Sequence, residues 1–195
     1  ATERLFLAVP STRAADLLVS RADEFGKVET LDNGKPIFEA AKIDMPAAAE
    51  CLAYFGEYAD KLYGDTFPGR KDAFLMTLRE PVGVVGAITP WNFPIAIPSW
   101  KIAPALVAGN TVVFKPARDT PMLGQRFVEI FEEAGLPSGV LNIVHGGGES
   151  VGERFVKHPD VPLISLTGSR EVGVKTAENG AAYLKHIHLE LGGKN

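Results

Sequence analysis

Two patterns of hydrophobic spacing divide the chain. In the first third, apolar residues recur three or four positions apart, as on one face of a helix, at Ala14, Leu17, Leu18, Ala22, Phe25 and Val28. The run 32–36 (Asp-Asn-Gly-Lys-Pro) ends this predicted helix, with Gly34 as its left-handed cap. A second helix is predicted from about residue 37 to residue 62, and Pro46 marks a kink or a break in it.

After a predicted loop at 64–69 and an extended strand or arm at 74–78, the pattern changes at Gly83. Short runs rich in Val and Ile now alternate with helical segments. The predicted strands are 84–88, 111–114, 140–144, 163–166 and 187–191, and the predicted helices are 95–108, 121–134, 150–157 and 171–179. This alternation predicts parallel β-α-β units.

The fold class predicted from these units is α/β, a Rossmann-like doubly wound parallel sheet preceded by N-terminal helices. We expect residues 1–80 to form a helical region and an extended arm that pack on a dinucleotide-binding domain at 81–195. Ligands of such sheets lie outside the carboxyl ends of the strands, where the motifs described below fall.

Composition narrows the possible functions. The chain is 46% hydrophobic and 23% charged, as in an ordinary globular protein, and its net charge of -4 comes without a basic stripe, which argues against nucleic-acid binding. A single cysteine excludes an internal disulfide and favours a reducing cytoplasm. No secretory signal opens the chain, and Pro90, Pro94 and Pro98 interrupt the uncharged stretch 81–100, so no membrane span is expected.

The motif Pro90-Trp91-Asn92-Phe93-Pro94 follows the first strand of the predicted sheet. Asn92 offers a side-chain amide donor on a turn flanked by proline, and such a donor can stabilise an oxyanion. For the short motif alone, a packed aromatic turn between strand and helix is the alternative.

Further candidates lie at the ends of the next strands. Lys115 can reach a ribose hydroxyl or a phosphate, and its alternative is a solvated surface charge; Asp119 or Thr120 can cap the helix that begins at Pro121. The glycine cluster 146–148 is by itself a weak signal, since such clusters usually form turns. The run 166–169 (Leu-Thr-Gly-Ser) is more informative, because its Gly lets the backbone approach a ligand and its Ser can donate to a pyrophosphate near a helix N-terminus.

Glu190 ends the fifth strand and is followed by Leu191-Gly192-Gly193-Lys194-Asn195. A carboxylate poised by burial can activate water there. Cys51 is the only thiol, but it sits within a predicted helix without a motif and is predicted to be a buried structural residue. His186 and His188 alternate on a strand without a third ligand at suitable spacing, so no metal site is predicted.

Taken together, the runs 86–94, 166–169 and 190–195 resemble the aldehyde dehydrogenase superfamily, whose members usually have Phe where this chain has Leu166. The resemblance implies that Asn92 stabilises an oxyanion and that Glu190 is a general base. It also implies a cofactor site, for which the residues are Ile88, Thr89, Pro90, Trp91, Lys115, Arg118, Gly148, Gly168, Ser169 and Leu191.

Arg118 bears on the choice between NADP and NAD. Family members that prefer NAD often carry an acid at this position, which binds the ribose hydroxyls, whereas an Arg can pair with a 2′-phosphate. The sequence therefore predicts a parent enzyme that accepts NADP at least as well as NAD. The alternative is an Arg118 side chain that points to solvent.

The resemblance implies NAD(P)-dependent oxidation of a small aldehyde to a carboxylic acid by a cytoplasmic enzyme, with the intact protein a homo-oligomer. In the family the nucleophilic Cys follows the general base by some tens of residues, so we expect this chain to lack the catalytic domain and to be inactive alone. A non-catalytic nucleotide-binding module or a split subunit is an alternative. A related reductase of acyl phosphates or thioesters is another, although it would not need Glu190 to activate water.

Overall fold

The first predicted helix is divided into two helices in the structure. The computed structural model describes residues 2–193, with side chains from residue 7 onward. Helix α1 (Thr2–Ser20) and helix α2 (Ala22–Asn33) are separated at Arg21, whose φ of -115° and ψ of 19° leave the helical region. Gly34 caps α2 with a φ of 78°, and its N–H donates to the carbonyl of Thr30, as predicted.

The second predicted helix is also divided. A single turn, α3 (Ile37–Glu39), continues into a π-helical turn (Ala40–Asp44) and then into α4 (Met45–Gly56), and a 3₁₀ turn (Ala59–Lys61) follows. Pro46 lies in the first turn of α4, directly after the π-helical turn, and its missing N–H removes a hydrogen bond to the preceding helical residues. It therefore marks the junction of two helical forms.

The predicted loop at 64–69 was wrong in part, because it contains a strand. Strand β1 (Thr66–Phe67) pairs antiparallel with β2 (Leu75–Met76), and all four residues are exposed. The prediction of an extended segment at 74–78 is confirmed by β2. Two residues are too few to show a hydrophobic period, so β1 is defined only by its partner.

The central element is a five-stranded parallel sheet, which confirms the predicted fold class and all five predicted strands. Its strands are β3 (Val84–Ile88), β4 (Thr111–Lys115), β5 (Leu141–Ile143), β6 (Leu163–Gly168) and β7 (His186–Leu191), in the spatial order β5-β4-β3-β6-β7. The chain runs outward from β3 to β5 and then returns to place β6 on the other side of β3. The strand order thus reverses between β3 and β6, where doubly wound sheets form a ligand crevice.

Four helices connect the strands: α5 (Ala96–Val107), α6 (Pro121–Glu133), α7 (Glu153–Lys157) and α8 (Arg170–Ala181). The predicted helix at 150–157 differs from the structure, since a π-helical turn (Gly148–Gly152) precedes α7. The predicted local cap of α6 was wrong. Thr120 occupies the N-cap position without a side-chain hydrogen bond, and Asp32 Oδ2 on α2 accepts from the N–H of Leu123 at 2.7 Å instead.

Each face of the sheet has its own hydrophobic core. Val85 and Ala87 of β3 point toward the larger core, which α5 and α6 share with α1, α2 and α4. Val84 and Ile88 point the opposite way, toward a smaller core that includes Phe155 of α7. Within the described residues, none of the helices combines the length and apolar character needed to span a membrane.

Candidate active site

A cavity of about 480 Å³ lies at the carboxyl ends of β3 and β6, where the strand order reverses. Its size is that of a small-molecule site. Eight of the ten residues predicted to bind a cofactor line it: Ile88, Thr89, Pro90, Trp91, Lys115, Gly148, Gly168 and Ser169. The sheet topology therefore brings together residues that are distant in the sequence.

The wall of this cavity suits a phosphate-containing ligand. No heavy atom lies within 4 Å of the position a Cβ would take on Gly148, so a ligand can approach the backbone there. Ser169 is the N-cap of α8, and its Oγ accepts from the N–H of Val172 at 3.2 Å. The N-terminus of this twelve-residue helix carries unpaired N–H groups and positive potential next to the cavity.

Lys115 occupies the end of β4 and is buried, unlike a solvated surface lysine. Its Nζ donates to the carbonyl oxygen of Pro116 at 3.0 Å, and burial lowers the pKa of its ammonium group. Lys175 of α8 is a second basic residue at the cavity, where it pairs with Glu153. Neither residue of this pair belongs to a recognisable motif, so the pair was not predicted from the sequence.

Two predicted cofactor residues lie elsewhere. Arg118 is exposed in the turn after β4 and does not line the cavity. Leu191 lines a second, larger cavity of about 770 Å³, formed by α5 with β6 and β7. Glu190 lines this second cavity too, and its side chain is 50% exposed.

A polar cluster surrounds Glu190. Its Oε2 accepts from Thr167 Oγ1 at 2.7 Å and lies 3.7 Å from the ammonium of Lys101. The side chain of Lys101 is only 3% exposed, and its Nζ donates to Ser165 Oγ at 3.2 Å, which in turn lies 3.2 Å from His188 Nδ1. Burial lowers the pKa of Lys101, an effect that the charge of Glu190 opposes.

Lys101 was overlooked in the sequence, although a signal for it exists. It is the only charged residue of α5, a helix whose other members are apolar or uncharged. A lone lysine in such a helix must either reach solvent or find a buried acidic or polar partner. Thr167 was within a recognised motif but was given no role.

Asn92 lies between β3 and α5, in a turn that is exposed from Trp91 to Phe93. Two residues at the C-terminal end of α2 and just after it contact this turn. Asn33 Nδ2 donates to the carbonyl of Trp91 at 3.1 Å, and Lys35 Nζ lies 4.2 Å from the centre of the Phe93 ring. Neither of these neighbours was predicted.

Cys51 lines neither of the two cavities, whereas His188 lines the second one. Cys51 is half-buried on α4, and burial raises the pKa of its thiol while Ser99 opposes the shift. That direction disfavours the reactive thiolate. Among the described residues, no group of three or more His, Cys, Asp or Glu side chains is placed to hold a metal ion.

An open parallel sheet with a glycine-lined cavity at the reversal of strand order defines a doubly wound class of α/β protein, whose members bind ligands in this crevice. The profile of the aldehyde dehydrogenase family matches residues 11–195. Phenylacetaldehyde dehydrogenase of Pseudomonas fluorescens is 45% identical over 201 residues, which cover 100% of this chain and 39% of that protein. The chain therefore belongs to the aldehyde dehydrogenase family, and it spans about 39% of the length of this curated relative.

Solved structures agree with this assignment. The chain superposes with a TM-score of 0.95 on an aldehyde dehydrogenase of Bacillus cereus in complex with NAD⁺, at 41% identity, covering 98% of this chain and 39% of that one. An NADP-dependent enzyme of E. coli matches with a TM-score of 0.94 and 39% identity, covering 97% of this chain and 40% of that one. These relatives confirm the predicted family.

Proposed function

We propose that this chain supplies the nucleotide site and two reaction groups for NAD(P)-dependent oxidation of an aldehyde to a carboxylic acid. The observation that carries the proposal is the cavity at the reversal of strand order, with its open glycines and the N-terminus of α8. Relatives of this family bind NAD⁺ or depend on NADP. When bound, the nicotinamide group supplies the acceptor for the hydride.

In this proposal Gly148, Gly168 and Ser169 hold the phosphates, and Lys115 binds the adjacent ribose. The backbone at Gly148 admits close approach, and the α8 N-terminus favours the negative charge. Lys115 is already desolvated, so it loses little hydration when it meets a hydroxyl or a phosphate oxygen. The segment 88–91 lines the same cavity and orients the ligand.

Asn92 donates its side-chain amide to the oxygen that becomes negative during the reaction. Glu190 takes a proton from the water that releases the acid product. Thr167 and Lys101 contact the Glu190 carboxylate and hold it in place. Leu191 lines the same cavity as this carboxylate, and no heavy atom lies within 4 Å of the Cβ position of Gly192, which leaves room for the substrate.

Arg118 extends the proposal to NADP. Its exposed position after β4 leaves the guanidinium without an ion pair to a carboxylate of the described residues, so it is available to a 2′-phosphate. The relative of E. coli depends on NADP, which agrees with such a preference within the family.

Calorimetric titration of the chain with NADP⁺ and NAD⁺ tests the nucleotide site. Lys115→Met is expected to weaken both ligands roughly tenfold, and Arg118→Ala is expected to weaken NADP⁺ alone by a similar factor, because each removes one charge-assisted hydrogen bond. Lys27→Met, at an exposed position of α2, is the control. Unaltered affinity in Lys115→Met would contradict the role of Lys115 in the nucleotide site. An NAD⁺ affinity far above that for NADP⁺ would contradict the proposed role of Arg118.

Steady-state kinetics of the full-length protein test the two reaction groups. Asn92→Ala and Glu190→Gln are each expected to lower kcat about 100-fold or more, with nucleotide affinity retained. Nucleotide binding without any turnover by the unaltered full-length protein would favour a non-catalytic module instead.

A further inference from the structure

Three buried charged side chains lie next to the turn that carries Asn92. Glu29 is 0% exposed, Asp44 is 5% exposed and Lys35 is 12% exposed. Lys35 Nζ lies 2.8 Å from Glu29 Oε1 and pairs with Asp44 Oδ2 as well. We refer to Glu29, Lys35 and Asp44 as the Lys35 cluster.

Burial of the Lys35 cluster costs free energy, because its charged groups lose their hydration. Two carboxyl groups share one ammonium, so the group carries an excess of negative charge away from water when both are ionised. Neither Glu29 oxygen makes a well-aligned hydrogen bond with the described residues. Apolar side chains of similar volume usually stabilise such a position as well or better. The Asp44 carboxylate comes from a π-helical turn, a distortion that is frequent at functional sites.

Lys35 connects the cluster to the turn after β3. Its Nζ faces the ring of Phe93 at 4.2 Å from the ring centre, which is within the range of a cation–π interaction. Two carboxylates fix the end of an otherwise flexible four-carbon chain, so the ammonium is held at a defined place beneath the ring. Phe93 itself is 41% exposed.

Asn33 completes the attachment from the other side. Its Nδ2 donates to the carbonyl of Trp91 at 3.1 Å, and its Oδ1 accepts from the N–H of Lys35 at 2.9 Å. The residues before and after Asn92 are thus both held by the connection between α2 and α3. Gly34, in the left-handed conformation, turns the chain so that Asn33 and Lys35 face the same turn.

We propose that Asn33 and Lys35 are positioning residues for Asn92, and that Glu29 and Asp44 hold Lys35 in that task. The inference rests on the proposed role of Asn92 as a donor to developing negative charge. A donor of that kind must be held within about 0.5 Å of its productive position, and small displacements cost large factors in rate. The turn that carries Asn92 is thereby fixed by residues that lie outside the sheet.

A spectroscopic experiment tests the positioning without reference to turnover. In the ¹⁵N-labelled chain, the indole N–H resonance of Trp91 is identified by its persistence in Trp100→Phe, since the chain has two tryptophans. Lys35→Met and Asn33→Asp are expected to shift or broaden this resonance and that of the Asn92 backbone. Asn33→Asp keeps the oxygen that accepts from Lys35, but it replaces the donor to Trp91 by a charged oxygen that repels the carbonyl.

The matched control is Lys42→Met, which removes an exposed lysine of the same segment that pairs with Asp23 on the surface. It is expected to leave both resonances in place. If Lys35→Met does not fold, Asn33→Asp alone decides the outcome. Resonances in Lys35→Met and Asn33→Asp that coincide with those of Lys42→Met would overturn the inference.

Kinetics of the full-length protein provide the second arm. Lys35→Met and Asn33→Asp are expected to lower kcat about tenfold while the KM for nucleotide changes less than about twofold. Lys35→Arg is expected to restore most of kcat, because a guanidinium also pairs with carboxylates and stacks on an aromatic ring. If Asn33 and Lys35 only stabilised the fold, their variants would have a lower thermal stability but not the fall in kcat at nearly constant KM. An unchanged kcat in both variants would overturn the inference.

Asn92→Ala separates this inference from the proposed function. If Asn92→Ala retains full turnover, the proposed role of Asn92 fails, while the effect of Asn33 and Lys35 on the turn is still read from the resonances. If Asn92→Ala loses turnover but the two positioning variants keep both turnover and resonances, the function stands and the positioning inference falls.

Discussion

At the scale of single residues, burial changes the pKa of Glu29. Burial raises the pKa of Glu29 to about 7, and nearby Asp44 adds to the shift while Lys35 opposes it. Burial by itself would lower the pKa of Lys35, but its two acidic neighbours outweigh that effect and raise it. The Lys35 cluster therefore contains a carboxyl group that titrates near neutral pH.

This shift predicts a pH dependence of stability. A glutamate with the ordinary pKa of 4.5 loses its proton well below the value of about 7 that applies to folded Glu29. Between these values the folded chain binds one proton more than the unfolded chain, so the free energy of unfolding falls as the pH rises through this window and levels off above it. The expected loss is on the order of 1–3 kcal/mol.

Urea unfolding at a series of pH values measures this effect. Glu29→Gln is expected to flatten the profile between pH 4.5 and pH 7, whereas Glu39→Gln, at an exposed neighbouring position, should leave it unchanged. A profile of Glu29→Gln that retains the slope of the unaltered chain would show that another group is responsible.

At the scale of elements, helix α6 shows how a helix end can depend on a distant residue. Its N-terminus has Pro121 in the first turn, while the side chain of Thr120 makes no capping bond and its Oγ1 is buried without a hydrogen-bond partner among the described residues. The acceptor is Asp32 Oδ2, which takes the N–H of Leu123 at 2.7 Å. This carboxylate also complements the positive end of the helix dipole.

Asp32→Ala is therefore expected to lower the free energy of unfolding by about 1–2 kcal/mol, because it leaves a helix N–H without a partner. The control is Asp119→Ala, which alters an exposed residue just before the helix and should cost less than about 0.5 kcal/mol. Thermal or chemical unfolding of the two variants measures the difference, and equal losses would show that the local residue contributes as much as the distant one.

At the scale of the whole molecule, the N-terminal helices and one face of the sheet share a hydrophobic core. Leu52 of α4, Phe25 of α2 and Phe127 of α6 belong to the same buried cluster as Phe114 of the sheet. Because this core crosses the predicted boundary near residue 80, its two parts stabilise each other. Separate unfolding of the helices would expose apolar surface on the sheet.

We accordingly expect the two regions to unfold in one transition. Tryptophan fluorescence reports on residues 91 and 100, near the sheet, whereas far-ultraviolet circular dichroism reports on all helices. Leu52→Ala, at a fully buried site, should destabilise the chain by about 2–5 kcal/mol and move both signals together. Two separate midpoints, or a shift confined to one signal, would contradict a shared core.

The sequence alone was enough for the features that depend on local patterns. Alternating Val-rich runs and helical segments predicted the five strands and the doubly wound class, because hydrophobic spacing reflects which face of each element is buried. Gly34 was predicted as a cap because only its own backbone conformation matters there. The motifs around Asn92, Gly168 and Glu190 sufficed to predict the family, which the relatives confirm.

Only the tertiary structure decided which side chains meet across the fold. Lys101 reaches Glu190 across two elements that are far apart in sequence, and Asp32 caps a helix that begins some ninety residues later. Likewise, the pKa of Glu29 depends on Lys35 and on Asp44, and Asp44 belongs to a π-helical turn that the sequence did not predict. Burial and long-range pairing are properties of the packed molecule, so no local pattern in the chain could specify them.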